Sequence, residues 1–350
     1  MKKIFNHIFI DGVSGMAIGL FATLIIGTII GQTASFISGP TGAVVSSVAF
    51  MAKVLTGAGI GVAIATKFKA APLVVVSVGV CGLIGAYASD IAVGAFASGG
   101  AIASAGNPLG AFISAMVGYE IGALVSGRTK IDILVTPICS IAAGSVVGAI
   151  LGPPLAEMMT TLGELVTWST EQQPLLMGIL VSVIMGLLLT FPISSAAIAI
   201  ILGLSGVAAG AATIGCCSHM IGFAVASFRD NGISGLISQG LGTSKLQLPN
   251  IMKKPIILLP AVLTSAILGP IGTCVLGLTN DAVGAGMGTA GLVGPILSYE
   301  TMVAAGHDPV MVLIKIIAMY FIAPAILSAA ISSFMRKNRW IKPGDMKLDV

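Results

Sequence analysis

The chain has 350 residues, of which 56% are hydrophobic and only 9% charged, with a net charge of +4 and a mean hydropathy of +1.06. Soluble domains carry about 25% charged residues, so this composition excludes a soluble enzyme or a nucleic-acid binder and leaves an integral membrane protein. Forty-six glycines and few aromatics favour a compact bundle of closely approaching helices over a single anchor.

The chain opens with MKKIFNHIFIDG and a long apolar run. The basic start resembles the front of a signal peptide, but the apolar run is about 20 residues against the about 7–15 of a signal sequence. It therefore reads as the first membrane span. In chain order the apolar segments predict ten spans, each near the length a bilayer requires: 13–36, 43–66, 70–88, 108–126 and 131–152, then 174–191, 194–210, 211–228, 255–278 and 310–335. The expected break between the seventh and eighth lies in the Gly-rich LSGVAAGAATIG. Residues 153–173 form an amphipathic outer connector whose acidic residues, Glu157, Glu164 and Glu171, mark a solvated helical face. The domains expected are thus a first membrane half (1–152), the connector (153–173) and a second half with a short cytoplasmic tail (174–350).

Charge sets the orientation. With ten spans, Lys2, Lys3, Lys67, Lys69, Arg128, Lys130, Arg229, Lys245, Lys253, Lys254 and the basic cluster from Arg336 to Lys347 fall on one side with both termini. The other side receives Asp90, the three connector glutamates, Asp281, Glu300 and Asp308, and no lysine or arginine. A nine-span count destroys this split. Ten spans with both ends cytoplasmic, in a bacterial-type plasma membrane, is the expectation.

Five spans per half means that the second half enters the membrane from the opposite side, the inverted-repeat logic of many transporters. Two runs support it. DIAVGAFASGGAIASAGNPLG (90–110) follows the third span and DNGISGLISQGLGTSKLQLPN (230–250) follows the eighth. Each begins with Asp, is rich in Gly and Ser, and ends with Asn and Pro side by side. Each reads as a re-entrant hairpin, a backbone tolerated only where protein or a water-filled cavity shields it. The fold class expected is all-α and polytopic, in two inverted five-helix halves with re-entrant hairpins. A third run, NDAVGAGMGTAGLVGP (280–295), has no evident mate.

Four stretches carry a resemblance: PISSAAI (192–198), GCCSHMIGFAVAS (215–227), QGLGTSKLQLPNI (239–251) and GAGMGTAGLVGP (284–295). They resemble the phosphotransferase-system EIIC-like membrane proteins, a family that includes PfoR-like toxin regulators. The resemblance implies a permease for a small polar solute, a sugar, with phosphotransfer supplied by separate EIIA and EIIB proteins on the cytoplasmic face. It leaves two alternatives open, a membrane-embedded sensor or regulator and an ion-coupled secondary transporter. A homodimer in the lipid bilayer is expected, with no nucleic-acid partner.

An ionisable group inside a span costs at least about 2.5–3.5 kcal/mol at the bilayer centre and needs a reason. Glu120, within MVGYEIGALV, is expected to face the interior and accept hydrogen bonds from sugar hydroxyls or carry a proton. His219 both donates and accepts as a neutral imidazole. Sugar permeases of this kind are similar in using a Glu and a His at the sugar, which joins the two. Gln239, Thr243 and Asn250 supply neutral hydrogen-bonding groups in the inner run, as do Asn107 at the end of the outer run and Asn280 at the start of the third. These seven residues are the substrate-binding candidates. The five cysteines lie in apolar segments without metal spacing and read as small buried side chains. No catalytic residue, metal or cofactor is expected.

Overall fold

The computed structural model describes residues 6–96 and 106–348. The middle of the outer run, residues 97–105, therefore lies outside the described residues. The described residues are helical throughout and contain no strand, apart from an isolated bridge between Gly206 and Asn280. The chain divides between residues 159 and 160 into two compact units.

The first unit holds α1 (Ile10–Ala34), α2 (Pro40–Val54), α3 (Thr56–Lys67), α4 (Pro72–Ala86), α5 (Ala88–Ala92), α6 (Pro108–Val125) and all of the membrane-length part, Asp132–Gly152, of the long helix α7 (Asp132–Thr170). Proline opens α2, α4 and α6, where its missing N–H costs nothing and its fixed φ suits the first turn. Asn107 caps α6 by accepting from the backbone of Leu109 (3.0 Å) and Gly110 (3.4 Å). α2 and α3 meet at a 51° bend. The Asp132–Gly152 stretch exposes Ile133, Leu134, Ile138, Val146 and Ile150, a lipid-facing apolar surface.

The second unit is built around α10 (Gly206–Ala226). With α8 (Pro174–Thr190) and the short α9 (Ser195–Ile201) before it, the chain continues through α11 (Phe228–Ile237), α12 (Leu248–Lys253), α13 (Pro255–Val275), α14 (Val293–Ala304) and α15 (Pro309–Lys337). The most apolar stretch of α10 is 83% buried, against 22% for Asp132–Gly152. Such a helix has neighbours on every side, and small residues let them come close. At Gly215 a Cβ would sit 1.8 Å from the backbone oxygen of Ser182. α8 and α10 therefore touch backbone to backbone.

Among the described residues, six helices are long and apolar enough to cross a membrane, or seven with the bent α2–α3 pair as one span. α4 and α8 are apolar but shorter, at 15 and 17 residues. The expected seventh span at 194–210 takes a different form. Its helical part, α9, has 7 residues, and the break comes at LGLSG, where Gly203 and Gly206 adopt φ of +59°. The break thus falls at the start of the Gly-rich stretch expected to turn, at Gly206. The rest of that stretch is the first half of α10, where Gly210 and Gly215 serve packing.

Residues 341–348 fold back rather than trailing away as a free tail. Ile341 and Met346 are buried with Phe223, Ala226, Ile251, Ile257, Ala261 and Met335. Lys254 pairs with Asp345 at 2.5 Å, and Arg336 with Asp230 at 2.7 Å. Burial pushes the Asp345 carboxyl up, but hydrogen bonds from Lys254 and the Lys342 N–H, with both lysine charges, outweigh it and hold the group below its ordinary value.

Gly215→Ala drives a methyl into the Ser182 carbonyl and destabilises the protein by at least about 3 kcal/mol, the upper end of ordinary overpacking. Gly163→Ala, whose new carbon meets only the tip of Leu202 at 3.4 Å, leaves stability unchanged or improved. Thermal unfolding of the two purified variants in detergent checks the contrast.

Candidate functional site

The four sequence stretches that carry the resemblance meet around the middle of α10. Ser195, from PISSAAI, donates to the carbonyl of Gly286 at 2.7 Å. Cys216 lies against the carbonyls of Met185 and Ala285. Thr289 donates to the carbonyl of Gly240, which gives the third Gly-rich run its mate in the inner polar run. Lys245 reaches back to the carbonyl of Ile193. All of these contacts lie within the second unit.

The inner run, 238–253, is neither a span nor a solvated loop. It folds as successive short turns followed by α12, and Gln239, Gly240 and the residues from Gly242 to Ile251 are buried. A backbone so buried must bond internally. The 3₁₀ turn Ser244–Gln247 is its centre. Lys245 donates to the carbonyls of Leu189 (2.5 Å), Phe191 (2.7 Å) and Ile193 (3.0 Å). An ammonium has three donors, and here three carbonyls at and just beyond the end of α8 accept them. The negative end of the helix dipole favours a cation at that place. Lys245 is thus a buried structural charge and not a solvated marker of orientation.

Beside it stands His219, fully buried on α10. Its Nδ1 lies 2.8 Å from Thr190 Oγ1, which also contacts Ser244 Oγ at 2.9 Å and donates to the carbonyl of Gly186 at 3.0 Å. Thr190 has one hydroxyl hydrogen, and the arrangement in which it goes to the Gly186 carbonyl has Nδ1–H and the Ser244 hydroxyl both donating to Thr190. A neutral imidazole protonated on Nδ1 carries its lone pair on Nε2. That Nε2, and the neighbouring Ser218 hydroxyl, have no hydrogen-bond partner among the described residues. Buried polar atoms are rarely left so. A Cβ on Gly186 would lie 2.5 Å from Cδ2 and 2.8 Å from Nε2, so the imidazole packs directly on the Gly186 backbone and only glycine leaves room for it.

The other candidates occupy varied places. Gln239 donates to Ser227 Oγ and the Gly235 carbonyl, and accepts from Gln247. Asn250 donates to Gln247 Oε1 and the carbonyl of Lys347. Thr243 accepts from the Lys245 N–H. Asn280 donates to Thr213 and to the Gly294 carbonyl. His219, Gln239, Thr243, Asn250 and Asn280 all belong to the second unit, the first four linked through or beside the 244–247 turn. Asn107 and Glu120 belong to the first. Glu120 is exposed rather than turned into the interior, and its carboxylate meets His7 Nε2 at 2.6 Å beside the stacked rings of Phe68 and Tyr119. Thr190, Ser218, Ser244, Lys245 and Gln247 complete the arrangement without having been singled out from sequence. Only Lys245, a lone cation among buried-type residues, carried a signal.

The profile of the family described as "Phosphotransferase system, EIIC" matches residues 10–348. No curated protein matches the chain significantly.

Replacing Thr190 by Val strands Nδ1–H and the Ser244 hydroxyl and costs about 1–3 kcal/mol, the penalty of leaving buried donors unpaired. Ser244→Ala adds less on that background than in the parent. A double-mutant cycle by thermal unfolding checks this non-additivity.

Proposed function

The chain belongs to the phosphotransferase-system EIIC family, and from that premise we propose that this membrane sugar-transport component holds its solute at the His219 pocket of the second unit. The observation that carries the reading is the buried, unpartnered Nε2 of His219, set where all four family-like stretches converge. A lone-pair nitrogen there accepts from a sugar hydroxyl, and the Ser218 hydroxyl supplies a second contact. Neutral groups suit an uncharged polyol, because they bind it without an unpaired buried charge. The amides of Gln239, Asn250 and Asn280 and the hydroxyl of Thr243 shape this wall by fixing the backbone around it. Asn107 and Glu120 are the corresponding polar groups of the first unit.

In this reading separate EIIA and EIIB proteins deliver the phosphoryl group to the sugar on the cytoplasmic face. The protein works as a homodimer with both termini inside. Ten membrane passages in two inverted halves, each with a re-entrant hairpin, remain the topology that best divides the charges.

Two experiments test the proposal. In a thermal-shift comparison of hexoses, hexitols and small carboxylates on purified protein, a sugar or polyol raises the unfolding temperature by mass action. His219→Leu weakens that ligand at least about tenfold, the loss of about 1.4 kcal/mol. Retention of the shift in His219→Leu sinks the site, and an unchanged shift in Glu120→Gln confines it to the second unit. For topology, single cysteines at Glu171 and Asp308 react with an impermeant maleimide in intact cells, and cysteines at Lys69 and Arg128 react only after permeabilisation. Any other partition removes the ten-span arrangement.

A further inference from the structure

The C-terminal segment is held in a way that core packing alone does not require. Its backbone is read by polar side chains from the segment that precedes α13. The carbonyl of Met346 accepts from both Asn231 (2.8 Å) and Gln247 (2.9 Å). The carbonyl of Lys347 accepts from Asn250 at 2.8 Å. The N–H of Leu348 donates to Asn231 Oδ1 at 2.8 Å, and that of Gly344 to Asp230 Oδ1 at 3.0 Å. Asp345 closes the set on Lys254. Such contacts recognise a turn-forming peptide by its main chain, and they are formed by a strip only eight residues long.

The same side chains lead to the His219 pocket. Gln247 ends the 3₁₀ turn that begins at Ser244. At that pitch of about 2 Å per residue the two are about 6 Å apart along the axis. One end of this single turn bonds the tail through Gln247, and the other end bonds Thr190 and hence His219 through Ser244. Lys245, between them, holds the end of α8. A turn this short is stiff, so displacement of Gln247 is felt at Ser244 and Lys245.

We propose that residues 341–348 are a latch on the 244–247 turn, whose docking fixes the Thr190–His219 pair and whose release loosens the solute pocket. The functional consequence rests on the reading of His219 as a solute contact, but the mechanical link does not. The anchors are suited to reversible docking. One ion pair, Lys254–Asp345, and five tail-backbone hydrogen bonds lie around two apolar plugs, Ile341 and Met346, at an end of the unit where Lys342, Pro343 and Gly344 are exposed.

Hydrogen exchange on the full-length protein in detergent, without any solute, tests the link. The comparison is a chain ending at Trp340, together with an Asn231→Ala, Asp345→Ala double variant that keeps both apolar plugs. Loss of the latch accelerates exchange at 243–247 and 187–193 at least tenfold, while α14, which does not touch the segment, keeps its rates. Unchanged rates at 243–247 in a folded variant overturn the proposal. So does acceleration spread evenly over the second unit, which would make the segment ordinary core. If the shortened chain does not fold, the double variant is read by the same criteria. Failure of every sugar to bind the intact protein sinks the His219 reading and leaves the exchange result standing.

Discussion

The ammonium of Lys245 on the carbonyls of Leu189, Phe191 and Ile193 is the contact on which the second unit depends. A helix that ends inside an apolar interior leaves its last carbonyls without partners, and each orphan is costly where water cannot reach. Lys245 answers this for α8 with a single side chain. In doing so it fixes the polar run against the end of the helix, with Ser244 beside Thr190. Lys315 repeats the device on a smaller scale, donating to the Leu276 carbonyl just past α13 at 2.9 Å. In both places a lysine in an apolar setting is explained by the backbone it serves.

The site follows from that anchoring. With the Thr190 hydroxyl on the Gly186 carbonyl, His219 carries its proton on Nδ1 and a lone pair on Nε2 beside Gly186. Convergence of the four family-like stretches gives membership in the EIIC family a physical content. These stretches are distant in sequence and meet through small residues, so their glycines and serines are there for approach as much as for chemistry. The third Gly-rich run, which had no mate in sequence, meets the polar run through Thr289 and Gly240.

The membrane class, the all-helical fold and most helix positions were legible from sequence because they rest on composition and on apolar runs about 20 residues long. Prolines open α2, α4, α6, α8 and α15, within three residues of the starts expected at 43, 70, 108, 174 and 310. The break before α10 was located only loosely, at the start of the expected Gly-rich stretch, because glycine has two uses. Gly203 and Gly206 turn the chain, whereas Gly210 and Gly215 let helices touch, and sequence alone does not separate the two. His219 was legible as a buried polar group, but its partner Thr190 was not, because a threonine at the end of an apolar helix has no distinguishing pattern. Lys245 looked like a charge facing the cytoplasm for the same reason: its partners are carbonyls, which sequence does not record. The docked C-terminal segment was hidden by its composition, since a short basic stretch after the last span resembles any solvated tail.

The backbone contact between Gly215 and Ser182 has one further consequence. Where the two helices meet through main-chain atoms there is no side-chain layer to slide on, and Cys216 on the Met185 carbonyl and His219 on Thr190 tie them further along. α8 and α10 therefore travel as one block. Whatever motion carries a solute through this protein must take its freedom from connections outside that pair, and a hinge sought between them will not be found.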